Sequence, residues 1–200
     1  MRHAVDYYFA PNSPWTYLGH ARFAAMVAKA GASVRLLPID LGQVFAVSGG
    51  LPLPQRAPQR QAYRLLELKR FAEALALPLV VQPRFFPVAG LAAAAQLIVA
   101  TEQVLGTASA IQLTGAIGAA VWAQERDIAD AATLAALLGE CELDAGLLAQ
   151  SQSAEVQSRY AQNTQAAIEA GVFGAPSYVV DGELFWGQDR LDFVERRLAA

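Results

Sequence analysis

Ser13 stands where the sequence changes from a β-rich run to a helical pattern, in the segment Ser13 to Tyr17 (SPWTY). Serine is a preferred helix N-cap, and proline is favoured directly after it. The N-terminus of a helix also stabilises a nearby anion such as a thiolate. Because the sequence offers no Ser-His-Asp arrangement to activate the hydroxyl, we expect Ser13 to donate a hydrogen bond to a ligand's anion rather than to attack a substrate. A helix cap without further function is the alternative.

A second segment, Gly171 to Ser177 (GVFGAPS), precedes a β-rich run near the C-terminus. Its glycines are typical of a helix end, and Pro176 is typical of the start of a strand. A proline at this place also leaves the N–H and C=O of Ala175 free to pair with an extended, peptide-like ligand. The sequence alone does not decide whether the Ala175–Pro176 bond is cis.

A third segment, Phe185 to Arg190 (FWGQDR), leads into the last helical pattern of the chain. We predict that Asp189 is the N-cap of that helix. Its carboxylate and the backbone amides around it could also hold the α-amino and α-carboxylate groups of a γ-glutamyl ligand. The two roles are compatible.

Arg56 and Arg60 lie in a loop-to-helix segment of a chain whose net charge is -3. Arginines in such a place ordinarily form a solvated face. Arginine also binds carboxylates through two parallel hydrogen bonds. The segment is therefore a candidate site for a substrate carboxylate or for the glycyl end of a peptide-like ligand, and both interpretations stay open.

The predicted elements follow the order β-α-β, then helices only, then β-β-α. Strands are predicted at Ala4 to Phe9, Val34 to Ile39, Ser177 to Val180 and Leu184 to Trp186, with a hairpin turn at Asp181-Gly182. The first helix is expected to end at Gly31 and the last to span Leu191 to Leu198, while Asp40 opens a glycine-rich, loop-like stretch. Between these parts, helices are predicted near residues 59–75, 91–105, 108–124, 131–138, 144–150 and 154–170. This order predicts an α/β, thioredoxin-like fold with a large all-helical insertion at about 59–170, in a single domain over 1–200.

Composition excludes several classes of function. The acidic balance argues against nucleic-acid binding, and we expect no membrane partner because no apolar stretch is long enough to span a bilayer. The single cysteine, Cys141, permits no intrachain disulfide and no CxxC motif, and it is expected to be a small buried residue. With only His3 and His20 beside it, no metal site is expected. No secretory signal pattern is present, so a cytoplasmic location is expected.

Three stretches, VDYYFAPNSPWTYL, AYRLLELKRFA and GVFGAPSYVVDGELFWGQDRLDFVE, closely resemble the 2-hydroxychromene-2-carboxylate isomerases. Those proteins are similar to kappa-class glutathione transferases and, more distantly, to periplasmic disulfide oxidoreductases. The resemblance implies a DsbA-like thioredoxin domain with a helical insertion, glutathione as cofactor and a homodimer. It maps the family's active serine onto Ser13 and its basic residue onto Arg60. It maps the glutathione-binding residues onto Ala175, Pro176, Trp186, Gly187, Gln188, Asp189 and Arg190.

The resemblance also implies a reaction. Ser13 would hold the glutathione thiolate, which adds reversibly to a conjugated aromatic carboxylate so that a double bond can rotate. Arg60 and Arg56 would hold the substrate carboxylate, and an aromatic pocket would be lined by Trp15, Phe85 and Phe86. The chain departs from the family pattern at Ala10, Gly50 and Val88-Ala89. A kappa-like transferase and a non-catalytic glutathione-binding module stay open as alternatives, whereas a disulfide oxidoreductase is excluded by the missing cysteines.

Overall fold

A four-stranded mixed sheet forms the centre of the protein, which is described over residues 3–200 by a computed structural model. The strands are β1 (Ala4–Phe9), β2 (Ser33–Pro38), β3 (Ser177–Val180) and β4 (Glu183–Trp186), in the order β2-β1-β3-β4. β1 and β2 are parallel, whereas β3 is antiparallel to both β1 and β4. This is the thioredoxin-like arrangement that the sequence predicts.

The first helix, α1 (Pro14–Ala30), carries the chain from β1 across the sheet to β2. Ser13 is its N-cap, with extended backbone angles and a side chain that accepts from Thr16 N. Gly31 ends the helix in the left-handed conformation, at φ 61°. Both ends therefore lie where capping chemistry predicts them.

Helices fill the long interval between β2 and β3. They are α2 (Leu41–Ser48), α3 (Pro58–Leu75), α4 (Ala92–Leu105), α5 (Thr107–Trp122), α6 (Ala131–Glu140), α7 (Leu147–Ser151) and α8 (Ala154–Glu169), and α9 (Leu191–Leu198) closes the chain. All but α2 lie close to the predicted ranges. Across residues 3–200, no helix combines the length and the apolar character needed to cross a bilayer.

The loop-like stretch expected after Asp40 is wrong over its first part, because the chain forms α2 there, whereas residues 49–57 hold only a short 3-10 turn at Leu53–Gln55. The Asp40 carboxylate caps this helix by accepting from Gly42 N and Gln43 N, at 2.9 and 3.4 Å. Gly49 is its left-handed C-cap, at φ 76°. Two of the glycines that suggested a loop, Gly42 and Gly49, therefore lie inside the first turn and at the end of a short helix.

Three aromatic rings hold α1 against the sheet. Tyr7 in β1 lies 4.4 Å from Phe23 in α1 and 5.2 Å from Tyr178 in β3, measured between ring centroids. All three side chains are fully buried. Rings of this size contribute a large share of the apolar area that is removed from water on folding. They fix the N-terminus of α1 at the carboxyl end of β1.

Candidate active site

Ser13 occupies the turn that joins β1 to α1. Its backbone N–H donates to Ala10 O at 2.9 Å, and its Oγ accepts from Thr16 N at 3.3 Å. Within residues 3–200 the hydroxyl proton has no hydrogen-bond acceptor, and no histidine or carboxylate contacts Oγ. The hydroxyl is therefore a free donor without a general base, which suits holding an anion rather than nucleophilic attack.

The first turn of α1 presents an electropositive end. Pro14 has no N–H, Trp15 N makes no hydrogen bond within the described chain, and no acidic residue lies in this turn. The partial positive charge of the helix terminus is thus left without a protein counter-charge. The Ser13 O–H and the Trp15 N–H are both available to a negatively charged ligand atom.

The Ala175–Pro176 loop lies beside this turn, and the bond is cis. Tyr8 of β1 pairs with Ser177 of β3, so the proline loop before Ser177 and the turn after β1 that carries Ser13 lie at the same end of the sheet. Neighbouring groups hold the loop, since Gly187 N donates to Pro176 O at 2.9 Å and Ser177 Oγ donates to Gly174 O at 2.8 Å. The N–H and C=O of Ala175 make no hydrogen bond within residues 3–200, so they are free to pair with an extended ligand.

Trp186 and Gly187 follow the loop on the neighbouring strand. The exposed Trp186 ring lies 4.8 Å from Phe173 and packs directly on Gly174, where a side chain would collide with its indole nitrogen. Gly187 has φ 102°, a backbone conformation that favours glycine, and the exposed Asp189 carboxylate lies where a side chain at 187 would begin.

The predicted capping role of Asp189 is wrong. Residues Gln188–Arg190 form a 3-10 turn, and the N-cap of α9 is Arg190, which makes no side-chain cap. The extra turn moves Asp189 away from the capping position, and its Oδ2 accepts instead from Arg190 Nη1 at 2.7 Å. The carboxylate stays exposed to solvent, so it is accessible to a ligand amine.

Gln188 points into the protein from the same turn. Its side chain is 1% exposed, and neither Nε2 nor Oε1 has a hydrogen-bond partner within residues 3–200. It packs on Gly19 of α1, where an added Cβ would lie 2.6 Å from Gln188 Cβ and 3.2 Å from Tyr178 Oη. The predicted binding segment therefore packs on α1 through the Cα and Cβ of Gln188, while the amide is buried without a partner among the described residues.

Arg56 and Arg60 are both near the start of α3, but the guanidinium of Arg56 is engaged by other groups of the protein and, among the described residues, that of Arg60 is not. Arg56 Nε donates to Leu51 O at 2.7 Å, and its guanidinium lies 5.8 Å from the Phe45 ring centroid. Burial, with a smaller repulsion from Arg60, lowers the pKa of Arg56. Arg60 is exposed and makes no side-chain contact with an acidic group among the described residues.

Arg64 is the basic residue that sequence reasoning missed. Its guanidinium lies 5.2 Å from the Phe86 ring centroid and 5.7 Å from that of Trp122. Trp122 Nε1 donates to Asn12 O at 3.1 Å, so the same indole contacts the residue before Ser13. Burial, helped by repulsion from Arg56, lowers the pKa of Arg64 to about 10. The four-residue spacing of Arg60 and Arg64 within α3 was the available signal, since it places these two on one helix face, whereas Arg56 precedes the helix with extended backbone.

The three predicted aromatic residues lie in two places. Phe86 packs on Trp122 at 4.8 Å and so lies near the Ser13 turn, and Trp15 in α1 packs edge-on against Phe71 of α3 at 5.9 Å. Phe85 lies under the exposed Arg84 guanidinium, 5.1 Å away. Trp15 and Phe86 therefore adjoin the turn that holds Ser13, whereas Phe85 contacts a surface arginine.

Cys141 lies in another part of the molecule, at the C-terminus of α6. The side chain is buried as predicted, and burial together with Glu140 raises the pKa of its thiol. Within the described chain, no group of three or more histidine, cysteine or acidic side chains is arranged to hold a metal ion.

The DsbA-like thioredoxin domain model matches residues 4–199, and the chain belongs to that family. A curated 2-hydroxychromene-2-carboxylate isomerase of Pseudomonas sp. (strain C18) is 31% identical over 202 residues, covering 96% of this chain and 88% of that protein. A solved 2-hydroxychromene-2-carboxylate isomerase is similar with a TM-score of 0.81 and 26% identity, covering 98% of this chain and 94% of the other. A cytosolic disulfide reductase DsbM from Pseudomonas aeruginosa, solved with GSH, shares the fold at a TM-score of 0.70 and 18% identity, covering 98% and 100%.

Proposed function

We propose that this protein is a glutathione-dependent isomerase that acts on 2-hydroxychromene-2-carboxylate or a similar intermediate of aromatic degradation. The similarity to named isomerases extends along nearly the whole chain. The observation that carries the proposal is the free Ser13 hydroxyl at an electropositive helix end, in a fold whose relatives include disulfide reductases. A serine at this place suits chemistry in which a ligand brings the sulfur.

The residues around Ser13 fit glutathione. The unpaired N–H and C=O of Ala175 suit the extended backbone of a tripeptide. The exposed Asp189 carboxylate suits the γ-glutamyl amine, and Arg190 lies beside it for the γ-glutamyl carboxylate. Trp186, Gly187, Gln188 and Pro176 form the surface that connects these groups.

Ser13 and the first turn of α1 hold a negative charge at the reacting position. The O–H of Ser13 donates to the anion, and the helix terminus stabilises it further. When bound, glutathione supplies a thiolate that adds reversibly to the conjugated substrate, so that rotation occurs about a single bond and the cofactor returns unchanged. The half-buried rings of Trp15 and Phe86 exclude water from the aromatic substrate, whereas Phe85, against the exposed Arg84, has no part in this pocket.

The substrate carboxylate meets the cationic segment around the start of α3, where the sequence predicts Arg60, in the first turn, and Arg56, just before the helix, as its ligands. Arg60 is the freer of these two, because the guanidinium of Arg56 is already bonded to Leu51 O. A homodimer and a cytoplasmic location, with no nucleic-acid or membrane partner, complete the proposal.

Turnover with a thiol count tests this function. The purified protein is expected to convert 2-hydroxychromene-2-carboxylate only when glutathione is present, and the concentration of free thiol is expected to stay constant. Loss of one thiol for each substrate consumed would instead identify a transferase. If the folded protein binds glutathione but converts no substrate, the protein is a non-catalytic glutathione-binding module.

A further inference from the structure

Arg64 lies on the inward face of α3, next to the turn that carries Ser13. One turn further along this face, Leu68 is fully buried, and after it Phe71 packs on Trp15 of α1. Arg64 continues that row toward the start of α3, where Phe86 and Trp122 flank its guanidinium. A charged group thus occupies a position on a helix face that otherwise buries apolar side chains.

This cation has no protein counter-ion. Within residues 3–200, no acidic side chain lies within ion-pair distance of Arg64, and its guanidinium makes no hydrogen bond. Glu67 is three residues further along α3, but it accepts from Arg70 at 2.7 Å. The charge that, together with burial, lowers the pKa of Arg64 is another cation, Arg56. Partial burial of an unpaired charge is unfavourable unless a binding partner supplies the opposite charge.

Stacking on aromatic rings does not by itself account for this placement. Arg84 makes the same kind of contact with Phe85, at 5.1 Å, while its side chain stays exposed to solvent. Arg64 loses part of that solvent contact and lies one indole ring from Asn12. The rings hold the guanidinium in place and leave its five N–H donors for a ligand.

We infer that Arg64, rather than Arg56 or Arg60, binds the carboxylate of the aromatic substrate. Arg56 is engaged with Leu51 O and Phe45, and Arg60 lies in solvent, where an ion pair contributes little. Arg64 is charged and partly buried, it has aromatic neighbours, and it lies near the turn that carries Ser13. The inference rests on the proposed function for the identity of the substrate, but its test measures binding without turnover.

The test compares Arg64→Met with Arg84→Met, which removes the exposed arginine of the same kind. Calorimetry measures the affinity of each glutathione-saturated protein for chromone-2-carboxylate, a stable aromatic carboxylate, and for its uncharged carboxamide. Arg64→Met is expected to weaken binding of the acid about 10- to 100-fold and to leave the carboxamide within about twofold. Arg84→Met is expected to change neither. Arg64→Lys, which keeps the charge without the planar fork, is expected to lie between Arg64→Met and the unaltered protein.

Several results would overturn the inference. The unaltered protein could fail to bind the acid, or Arg64→Met could bind it as tightly as the unaltered protein does. Equal losses for acid and carboxamide would show that Arg64 only supports packing. A weaker affinity for glutathione with unchanged affinity for the acid would assign the guanidinium to the cofactor's carboxylate. If the protein binds the acid through Arg64 but does not isomerise any substrate, the proposed function fails and the carboxylate site stands.

Discussion

At the scale of single residues, the Ser13 hydroxyl accepts a hydrogen bond from the helix and keeps a proton that, in the proposed function, it donates to a ligand. A lone pair accepts the Thr16 N–H at 3.3 Å, while the proton remains free. The helix therefore fixes the direction of the hydroxyl without consuming its capacity to donate. A cysteine in the same place would supply the sulfur itself, whereas in the proposed function a diffusible cofactor brings the thiolate to Ser13.

Ser13→Ala is expected to lower kcat/KM at saturating glutathione by about 10- to 100-fold, because a hydrogen bond to a charged group contributes about 1.5–3 kcal/mol. It should also lower the free energy of unfolding by about 1 kcal/mol through loss of the cap. Ser153→Ala is a matched control, since Ser153 caps α8 by accepting Val156 N at 3.3 Å. That variant should lose stability and keep full turnover. Undiminished turnover in Ser13→Ala would remove Ser13 from the mechanism.

His20 makes the stability of the fold depend on pH. Its buried ring lies within hydrogen-bond distance of Ile111 O at 2.9 Å and, less closely, of Tyr7 Oη at 3.4 Å. Burial lowers the pKa of His20, although the contact with Ile111 O opposes this effect. The unfolded chain therefore takes up the proton at higher pH than the folded protein does. The contribution of His20 to the free energy of unfolding is therefore fully present above the pKa of histidine in the unfolded chain, about 6.5. It falls as the pH drops below that value.

Urea unfolding at several pH values between about 7.5 and 5 measures this effect. The free energy of unfolding is expected to fall by up to about 1.4 kcal/mol per pH unit below about 6.5. His20→Gln should lose most of that slope. An equal slope in His20→Gln and the unaltered protein would contradict the assignment.

At the scale of elements, α2 shows why glycine is an ambiguous signal. Asp40 starts the helix and Gly49 ends it, so the same residue types that indicate a loop here mark two helix ends. The apolar side chains Leu41, Val44 and Phe45 have helical spacing, but the interval is too short for periodicity to outweigh several glycines and prolines. Contacts with α8 decide the outcome, since Asp40 N donates to Thr164 Oγ1 at 3.0 Å.

Asp40→Ala is expected to reduce the free energy of unfolding by about 1 kcal/mol, because two N–H groups of α2 lose their acceptor. Asp40→Asn should retain most of the stability, since asparagine caps nearly as well. Chemical denaturation of the three proteins at one pH checks this. Equal stability of Asp40→Ala and the unaltered protein would show that the cap contributes nothing.

The departure at Gly50 has a structural counterpart in the same region. A side chain at position 50 would collide with the Phe45 ring, on which the Arg56 guanidinium lies. Glycine at 50 therefore accompanies the packing of Phe45 against Arg56. This arrangement engages Arg56 and is one reason why the structure favours Arg64 as the free cation.

At the scale of the whole molecule, most of the fold could be predicted from local chemistry. Ser13 and Gly31 delimit α1, and Asp181-Gly182 forms the hairpin turn with positive φ values of 49° and 86°. These features depend on neighbouring residues only, so sequence patterns are sufficient to find them. The extra turn before α9 was missed because Gln188 docks onto Gly19, and a contact so distant along the chain leaves no local signal.

The candidate site could be predicted only in part, for the same reason. Ser13, Ala175 and Asp189 lie in motifs that are visible in the sequence. Arg64 depends on Trp122, which lies 58 positions further along the chain and contacts Asn12. Its significance arises from burial and from a missing counter-ion, and neither of these is visible before α3, α5 and the segment around Phe86 pack together.

The pKa of the glutathione thiol bound to the protein tests the central claim most directly. It is measured by recording the thiolate absorbance of the glutathione-saturated protein as a function of pH and subtracting the absorbance of the protein alone. The thiol is expected to ionise well below the ordinary pKa of about 8.5, and Ser13→Ala should move its pKa back toward that value. A bound thiol that titrates as it does in free solution would contradict the claim. A failure of glutathione to bind at millimolar concentration would contradict it as well.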